Sequence, residues 1–162
     1  MDQVDKVISQ WHLVRPDIDT SSMEIIGRIT RVAKQILEIQ EITFAKYGLN
    51  LASFDALSAL RRSGPPYALT AGELMSAMMI TSGTMTNRID QLRKVGLVTR
   101  ELDPKDARRA IVTLTDQGFQ VIERAIIEHG KTQRQILSGM TQDELGLINS
   151  LFRKLSEIIS SS

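Results

Sequence analysis

The sequence contains no cysteine, only two histidines, and no apolar run of the roughly 20 residues that a membrane-spanning helix requires. The lack of cysteine excludes disulfides, thiolate metal sites and thiol-based redox sensing. The two histidines, His12 and His129, are far apart and have no clustered carboxylates beside them, so we expect no metal site. The first residues form neither a basic stretch nor a long apolar segment, so no signal peptide is predicted. These absences favour a cytoplasmic protein.

Sequence motifs for cofactor binding and catalysis are also missing. Neither Gly-x-x-x-x-Gly-Lys-Ser/Thr nor Gly-x-Gly-x-x-Gly occurs, so nothing supports a phosphate-binding loop. Met75, Met78 and Met79 are expected to be packing residues rather than soft-metal ligands. No motif groups a serine or aspartate with a histidine as a nucleophile. We therefore expect no cofactor, no metal and no enzymatic activity.

The net charge of +1 does not by itself indicate a nucleic-acid partner, but the distribution of charge is more informative. Residues 81–109 carry seven basic and four acidic side chains, whereas residues 1–60 carry six basic and eight acidic ones. The positive excess lies in one short central segment, as an element that contacts phosphate requires. A chance cluster on a solvated face is the alternative, and the charge alone does not decide between the two.

Three Ser/Thr-x-x-Glu sequences predict helix starts, because the hydroxyl and the carboxylate each satisfy a free backbone N–H group there. They are Ser21…Glu24, Thr70…Glu73 and Thr141…Glu144. Together with the apolar periodicity, they predict helices over residues 22–46, 51–62, 71–78, 83–94, 116–137 and 142–159. Residues 80–82 are expected to form a turn whose hydroxyls cap the fourth of these helices.

After the fourth predicted helix the pattern changes to that of β-strands. Residues 97–100 and 110–114 are β-prone, and residues 101–109 between them are polar and turn-forming. This pattern predicts a hairpin with a long basic tip. The predicted fold class is therefore mainly α with a small β-wing, that is, a winged helix-turn-helix between long N- and C-terminal helices.

The fourth predicted helix has an apolar and a polar face. At about 100° per residue, Met85, Ile89 and Leu92 form a narrow stripe that is expected to pack inward. Asn and Gln on the opposite face can pair with adenine edges in the major groove. An ordinary solvated face is the alternative, but the short helix before it and the basic hairpin after it favour DNA recognition. The predicted contacts from this helix are Ser82, Thr84, Thr86, Asn87, Gln91 and Lys94.

Three basic residues at the hairpin tip are further candidates for DNA contact. We expect Arg108 and Arg109 to enter a minor groove, where narrow A·T-rich stretches concentrate negative potential. Lys105 is placed to reach a phosphate. Solvation of an exposed turn is the alternative interpretation of these side chains.

Two segments resemble regulators of the MarR family. Residues 82–92, followed by Gly96-Leu97-Val98, are similar to the family's recognition helix, and Asp-Pro-x-Asp-x-Arg followed by Val-x-Leu-Thr, beginning at Asp103, resembles its wing signature. The resemblance extends over nearly the whole chain. It implies a homodimeric repressor whose N- and C-terminal helices interlock, with two recognition helices about one DNA turn apart on a pseudo-palindromic operator.

The same resemblance implies a division of the chain into three parts that form one intertwined domain. Residues 1–46 are an N-terminal extension with the first dimerisation helix. Residues 47–115 are the winged helix-turn-helix DNA-binding region. Residues 116–162 are the C-terminal dimerisation helices.

A narrower resemblance is to the PecS/UrtR branch of that family, whose members are associated with urate. It is carried by Gln10-Trp11, by residues 15–19 and by residues 54–67. The ligand-site pattern of the branch falls on Trp11, Asp55, Arg88 and Arg100. A Trp face can stack on a flat anion and Arg donors can bind its oxygens, so an anion such as urate would compete with Asp55 for Arg88 and attenuate DNA affinity.

Other interpretations remain open at this point. Asp55 and Arg88 can form a structural ion pair, and Trp11 can anchor a dimer interface. The protein would then be a winged-helix DNA-binding regulator with a different small-molecule effector or none. A third interpretation is a helical protein-interaction module that uses the winged fold without DNA.

Overall fold

The computed structural model describes residues 1–78, 82–104 and 106–161, without the side chains of residues 82–84 and 107. In this part of the chain no helix is long and apolar enough to cross a membrane. The helices and strands, in chain order, are α1 (Gln3–Val14), α2 (Ser21–Ala45), α3 (Leu51–Arg62), β1 (Ala68–Thr70), α4 (Ala71–Met78), α5 (Ser82–Lys94), β2 (Val98–Asp103), β3 (Asp106–Leu114), α6 (Asp116–Ile136) and α7 (Gln142–Ser160).

The predicted order of helices around a β-wing is confirmed. α3 and α4 begin and end at the predicted residues, and the other predicted helices differ by a residue or so at their ends. Most of the predicted turn at residues 80–82 lies outside the described residues, as does Met79. Ser82 already belongs to α5.

Two of the three predicted capping boxes are present. The backbone N–H of Thr70 donates to Glu73 over 2.8 Å, and the N–H of Glu73 donates to the Thr70 hydroxyl over 3.2 Å. Thr141 and Glu144 form the same pair of bonds, at 2.7 and 3.3 Å. The starts of α4 and α7 are therefore fixed by local sequence.

The third predicted capping box, Ser21…Glu24, is wrong. α2 begins at Ser21 itself, and Glu24 accepts a hydrogen bond of 2.6 Å from Arg28. Arg28 also pairs with Asp2 at 2.8 Å and with Asp5, both of which belong to the start of α1. Three carboxylates around one guanidinium group therefore join α1 to α2.

α1 is a helix that the sequence patterns above do not predict. It runs antiparallel to α2, because Val4 near its start approaches Gly27, and His12 near its end lies 2.8 Å from the Thr20 hydroxyl. Val4 and Ile8 are buried where α1 packs along α2. The N-terminal extension is therefore an ordered helical hairpin with α2.

The three strands form one antiparallel sheet in the order β1-β3-β2. The wing is the β2–β3 hairpin, paired from Val98 opposite Leu114 to Asp103 opposite Asp106. The prediction of a long loop over residues 101–109 is therefore wrong. Both faces of a two-stranded ribbon reach solvent, so its polar side chains do not end the pairing.

The apolar core lies in the central part of the fold. It is built from the end of α2, from α3, α4, α5, the base of the wing and the first half of α6. In contrast, α7 has no buried residue and α2 buries only Thr43 and Phe44. These two helices instead expose a large set of apolar side chains: Met23, Ile25, Ile26, Val32, Leu37, Ile39, Ile42, Leu147, Ile148, Leu151, Phe152, Ile158 and Ile159.

Candidate nucleic-acid interface

α5 is held by one apolar face. Met85, Ile89 and Leu92 are 1%, 2% and 4% exposed and belong to the main core cluster. Their spacing places them on one side of the helix. The predicted inward stripe is confirmed, and the orientation of α5 is therefore set by core packing.

The opposite side of α5 is presented to solvent. Asn87, Gln91 and Lys94 are exposed and follow one another at intervals of four and three residues, so they form one row along the helix. Thr86 is exposed beside them. The side chains of Ser82 and Thr84, which are further predicted contacts, lie outside the described residues. The row offers amide groups and one ammonium group to whatever approaches this face.

The wing carries two exposed arginines held by one carboxylate. The side chains of Arg108 and Arg109 are 90% and 66% exposed, and their Nε atoms lie 3.0 and 3.5 Å from Asp106. Hydrogen bonds from Arg108 hold the pKa of Asp106 below its usual value, so Asp106 stays charged. Lys105, the third predicted wing contact, lies outside the described residues.

The tip half of the wing faces the start of α4. A cleft of about 420 Å³ lies between them, lined by residues 70–73 and 108–110. Hydrogen bonds from Thr70 lower the pKa of Glu73, and the positive charge of Arg109 lowers it further. Arg108 and Arg109 of the wing therefore lie beside the start of α4.

Asp55 lies in a group of titratable residues from three helices. Although its side chain reaches solvent, burial of the carboxyl group raises its pKa, and the positive charges of Arg88, Arg62 and His129 oppose this rise. Arg88 comes from α5 and His129 from α6. Arg88 is thus close enough to act on the charge of Asp55, but among the described residues the two side chains form no hydrogen bond or ion pair with each other.

His129 lies between this charged group and the core. Its ring is 5.2 Å from the Phe44 ring and 4.8 Å from the Phe54 ring, and its Nδ1 is buried without a hydrogen-bond partner among the described residues. Burial lowers the pKa of His129, and the negative charge of Asp55 opposes that effect. The neutral imidazole is therefore the favoured form.

Arg88 is half-buried and borders a cleft between the start of α3 and the end of α5. The cleft has a volume of about 210 Å³, and its polar lining includes Asn50, Ser53 and Gln91. Among the four predicted ligand residues, Arg88 is the one that lines it. Arg88 thus acts on the charge of Asp55 and also borders a cleft that has room for a small molecule.

Arg100 is placed differently. Its guanidinium group lies 3.9 Å from Asp90, which also lies 3.5 Å from Arg93. Asp90 and Arg88 are two positions apart, about 200° around the helix, so Arg100 and Arg88 are on different sides of α5. Trp11 is 40% exposed on α1, which packs along α2. Within this protomer, Asp55 and Arg88 are the two predicted ligand residues that interact.

Sequence reasoning missed several neighbours of these residues. Arg62 and His129 both act on the carboxyl group of Asp55, and Asp90 holds Arg100 against α5. Arg62 follows Asp55 by two helical turns, which is a signal that a helical wheel of α3 would have shown. His129 is more than seventy residues away in sequence, and no local pattern indicates its position.

Comparisons with known proteins agree with this geometry. The MarR family model matches residues 47–109. The regulator PecS of Dickeya dadantii is 35% identical over 96% of this chain and 93% of its own length. PecS is an HTH-type transcriptional regulator.

Solved structures have the same fold. Sco3205 of Streptomyces coelicolor, a MarR family regulator solved in complex with DNA, superposes with a TM-score of 0.77 at 22% identity, over 86% of this chain and 88% of that one. BpsR of Bordetella bronchiseptica, whose DNA binding is regulated by 6-hydroxynicotinic acid, superposes with a TM-score of 0.69 at 29% identity, over 81% and 98%. The chain belongs to the MarR family of DNA-binding transcriptional regulators.

Proposed function

We propose that two copies of this chain bind a pseudo-palindromic operator and repress transcription, with α5 in the major groove. The observation that carries the proposal is the two-faced α5, whose core face fixes the helix while Asn87, Gln91 and Lys94 form an exposed row. Asn and Gln pair with adenine, and Lys with guanine, through the edges that the major groove presents. Residues 47–115 then serve DNA binding. Thr86, and Ser82 and Thr84 at the start of the helix, complete the proposed contacts.

The wing supplies a second proposed contact, in the neighbouring minor groove. Arg108 and Arg109 have exposed guanidinium groups, and arginine is favoured where the minor groove is narrow. Their pairing with Asp106 restrains both side chains before DNA arrives, so less rotamer freedom is lost on binding. Lys105 at the tip is proposed to contact phosphate.

The exposed apolar faces of α2 and α7 support the dimer. A groove of about 520 Å³ lies between these helices, lined by apolar residues such as Ile29, Val32, Leu151 and Phe152. Exposed apolar patches of this kind mark interaction sites in soluble proteins. Burial against a second copy would place two α5 helices on one face of DNA, as a palindrome requires. Residues 1–46 and 116–162 would then serve assembly.

We also propose that a small aromatic anion, with urate as the first candidate, lowers DNA affinity through Arg88. The cleft beside Arg88 supports this, as does the coupling of Arg88 to Asp55, because an anion that binds the guanidinium group competes with that carboxylate. The ring of Trp11 is proposed to stack on the ligand, and Arg100 to bind its oxygens. The regulation of BpsR by 6-hydroxynicotinic acid, another flat anion, supports the same class of effector.

Salt dependence and symmetry test the DNA-binding mode. DNA selected from a random pool by the full-length protein gives the operator, and fluorescence anisotropy gives its affinity at several salt concentrations. We expect the logarithm of affinity to fall linearly and steeply with the logarithm of salt concentration, and the footprint to be two-fold symmetric. Affinity that is insensitive to salt, or an asymmetric footprint, would contradict the proposal and favour a protein-interaction module.

The ligand proposal is tested on the preformed protein–DNA complex. Urate, 6-hydroxynicotinate and salicylate are titrated in parallel with neutral nicotinamide as the control. Release of DNA by an anion but not by nicotinamide supports the proposal, and the response should be weakened by Arg88→Met. Release by none of the three anions favours a DNA-binding regulator with no effector of this class.

A further inference from the structure

The end of α3 forms a polar joint with the start of α6. Arg61 Nε donates a hydrogen bond of 2.6 Å to Glu123 Oε1. The Arg61 guanidinium carbon lies 5.1 Å from the centroid of the Tyr67 ring and 5.0 Å from that of Phe119. The two rings are themselves 5.0 Å apart. One guanidinium group thus contacts the segment before β1 and the first two turns of α6.

Tyr67 connects the same joint to the wing. Its N–H donates to the Gly64 carbonyl over 2.6 Å, and its carbonyl accepts from the N–H of Leu114, at the end of β3, over 3.1 Å. Tyr67 has a φ of 59°, a left-handed conformation that is unfavourable for an aromatic residue. Such a conformation persists where surrounding contacts hold it. Tyr67 therefore ties the base of the wing to Arg61.

The contacts at this joint are directional, unlike the apolar packing of the core. α3 and α6 share apolar packing, which is non-directional. A charge-assisted hydrogen bond and cation–π contacts depend on the orientation of the guanidinium plane. The joint lies where residues 47–115 meet the C-terminal helices. A small rotation there would be amplified at α5, the helix that faces the DNA.

We propose that Arg61 is a positioning residue that sets the angle between the winged helix-turn-helix and α6, and thereby the spacing of DNA half-sites that the dimer accepts. This rests on the proposed dimeric DNA binding. Arg61 acts through Glu123, Tyr67 and Phe119 and touches no DNA itself. Replacing the Arg61 side chain should change the selectivity for half-site spacing more than it changes the strength of the phosphate contacts.

The geometry can be measured without DNA. Because the chain lacks cysteine, Val95→Cys, at a 60% exposed position just after α5, carries one nitroxide per protomer. Double electron–electron resonance then reports one distance between protomers. We expect a narrow distribution in this parent protein and a broad one after Arg61→Met or Glu123→Ala. Arg124→Met removes the same charge from the exposed neighbour of Glu123 and is the matched control. Its distance distribution should be the same as that of the parent protein.

Each outcome of this measurement is decisive. A distribution left narrow and unshifted by Arg61→Met overturns the positioning role. Arg61→Lys keeps the charge but not the planar group, so an intermediate width supports a role for the guanidinium geometry. If no distance between protomers is detected in the parent protein, the dimer is contradicted, and with it the proposed function.

Binding to operators of altered length provides the second measurement. One and two base pairs are inserted between the half-sites of the selected operator. We expect one inserted base pair to weaken wild-type binding about tenfold and Arg61→Met binding only about twofold. The salt dependence should be unchanged, because no phosphate contact is removed. If Arg61→Met discriminates between operator lengths as strongly as the wild type does, the inference is overturned. If the wild type binds no DNA with paired half-sites, the proposed function is contradicted.

Discussion

Gly118 approaches Leu97 so closely that a Cβ atom at position 118 would lie 2.0 Å from the Leu97 carbonyl oxygen. The same carbonyl accepts a hydrogen bond of 3.1 Å from the N–H of Thr115. The first turn of α6 is therefore seated directly on the base of the wing. Only a residue without a side chain permits this approach.

We expect Gly118→Ala to destabilise the protein by about 1–3 kcal/mol or more, because the backbone of α6 or of the wing must shift. Gly72 on α4 is the control, since a Cβ there meets no atom within 4 Å. Gly72→Ala should be neutral or stabilise by about 0.5–1 kcal/mol. Urea unfolding monitored by circular dichroism gives both values, and equal stabilities of the two variants would be inconsistent with the close contact.

Removing a base-reading side chain from α5 should weaken specific binding selectively. We expect Asn87→Ala and Gln91→Ala each to lower operator affinity by about 1–3 kcal/mol and to relax the preference at one base pair of each half-site. Gln120→Ala, an exposed position on α6, is the matched control. Anisotropy with operator and scrambled DNA checks this, and full specific affinity in both α5 variants would exclude these residues as contacts.

The wing arginines should act mainly through charge. Arg108→Ala and Arg109→Ala are each expected to weaken binding and to reduce the slope of log affinity against log salt concentration by about 1. Arg134→Ala on α6, with the same change in charge, should leave the slope as in the wild type. A slope that neither wing variant alters would place the wing away from the DNA backbone and minor groove.

The carboxylate of Asp55 should lower stability at neutral pH. Burial raises its pKa, so the folded state binds more protons at this site than the unfolded state. Its contribution to the free energy of unfolding therefore falls as the pH rises through the unfolded value and then the folded one. We expect Asp55→Asn to raise the Tm at about pH 7. Arg62→Met, which removes an opposing charge, should lower it.

Scanning fluorimetry measures the Tm of Asp55→Asn and of Arg62→Met. The DNA-release titration is repeated with Asp55→Asn. The variant should be more stable yet respond less to the anion, because the competition for Arg88 is lost. An Asp55→Asn protein with lower Tm would contradict the direction of the pKa shift. An Asp55→Asn protein with an unchanged ligand response would exclude Asp55 from the proposed competition for Arg88.

His129 should make the protein less stable in mild acid. Burial lowers its pKa, so the folded state binds fewer protons than the unfolded state, and stability falls as the pH drops through 6.5 toward the lowered value. We expect the wild type to lose more stability than His129→Phe between about pH 7.5 and pH 5.5. The phenylalanine keeps the ring contacts with Phe44 and Phe54. Equal pH dependence in urea unfolding would rule out a buried neutral imidazole.

The helical frame could be predicted because its signals are local. Thr70 and Thr141 are followed by glutamates that return hydrogen bonds to the helix start, and the sequence shows both pairs directly. The apolar stripe of α5 follows from periodicity alone. The same kind of reasoning failed at Ser21, because Glu24 is held by Arg28 in an ion-pair network that begins at residue 2.

The arrangement of the residues around Asp55 and Arg100 depends on contacts between distant parts of the chain, and sequence patterns describe such contacts poorly. The pairing of Arg100 with Asp90 joins a strand to the helix before it, across a turn. The position of His129 beside Asp55 depends on how α6 crosses α3. Arg61 is part of a motif that the family resemblance quoted, yet its contact with Glu123 becomes visible only when both helices are placed.

α7 has a consequence for the lifetime of the protein. A helix of 19 residues that has no fully buried residue within its own protomer has little tertiary packing to maintain it in water. If two copies assemble through α7 as proposed, its persistence follows mass action and depends on how many protomers are present. Dilution would expose the C-terminal segment to proteases while the central core is still folded. Unassembled chains would be degraded first, which would link the amount of regulator in the cell to completed assembly.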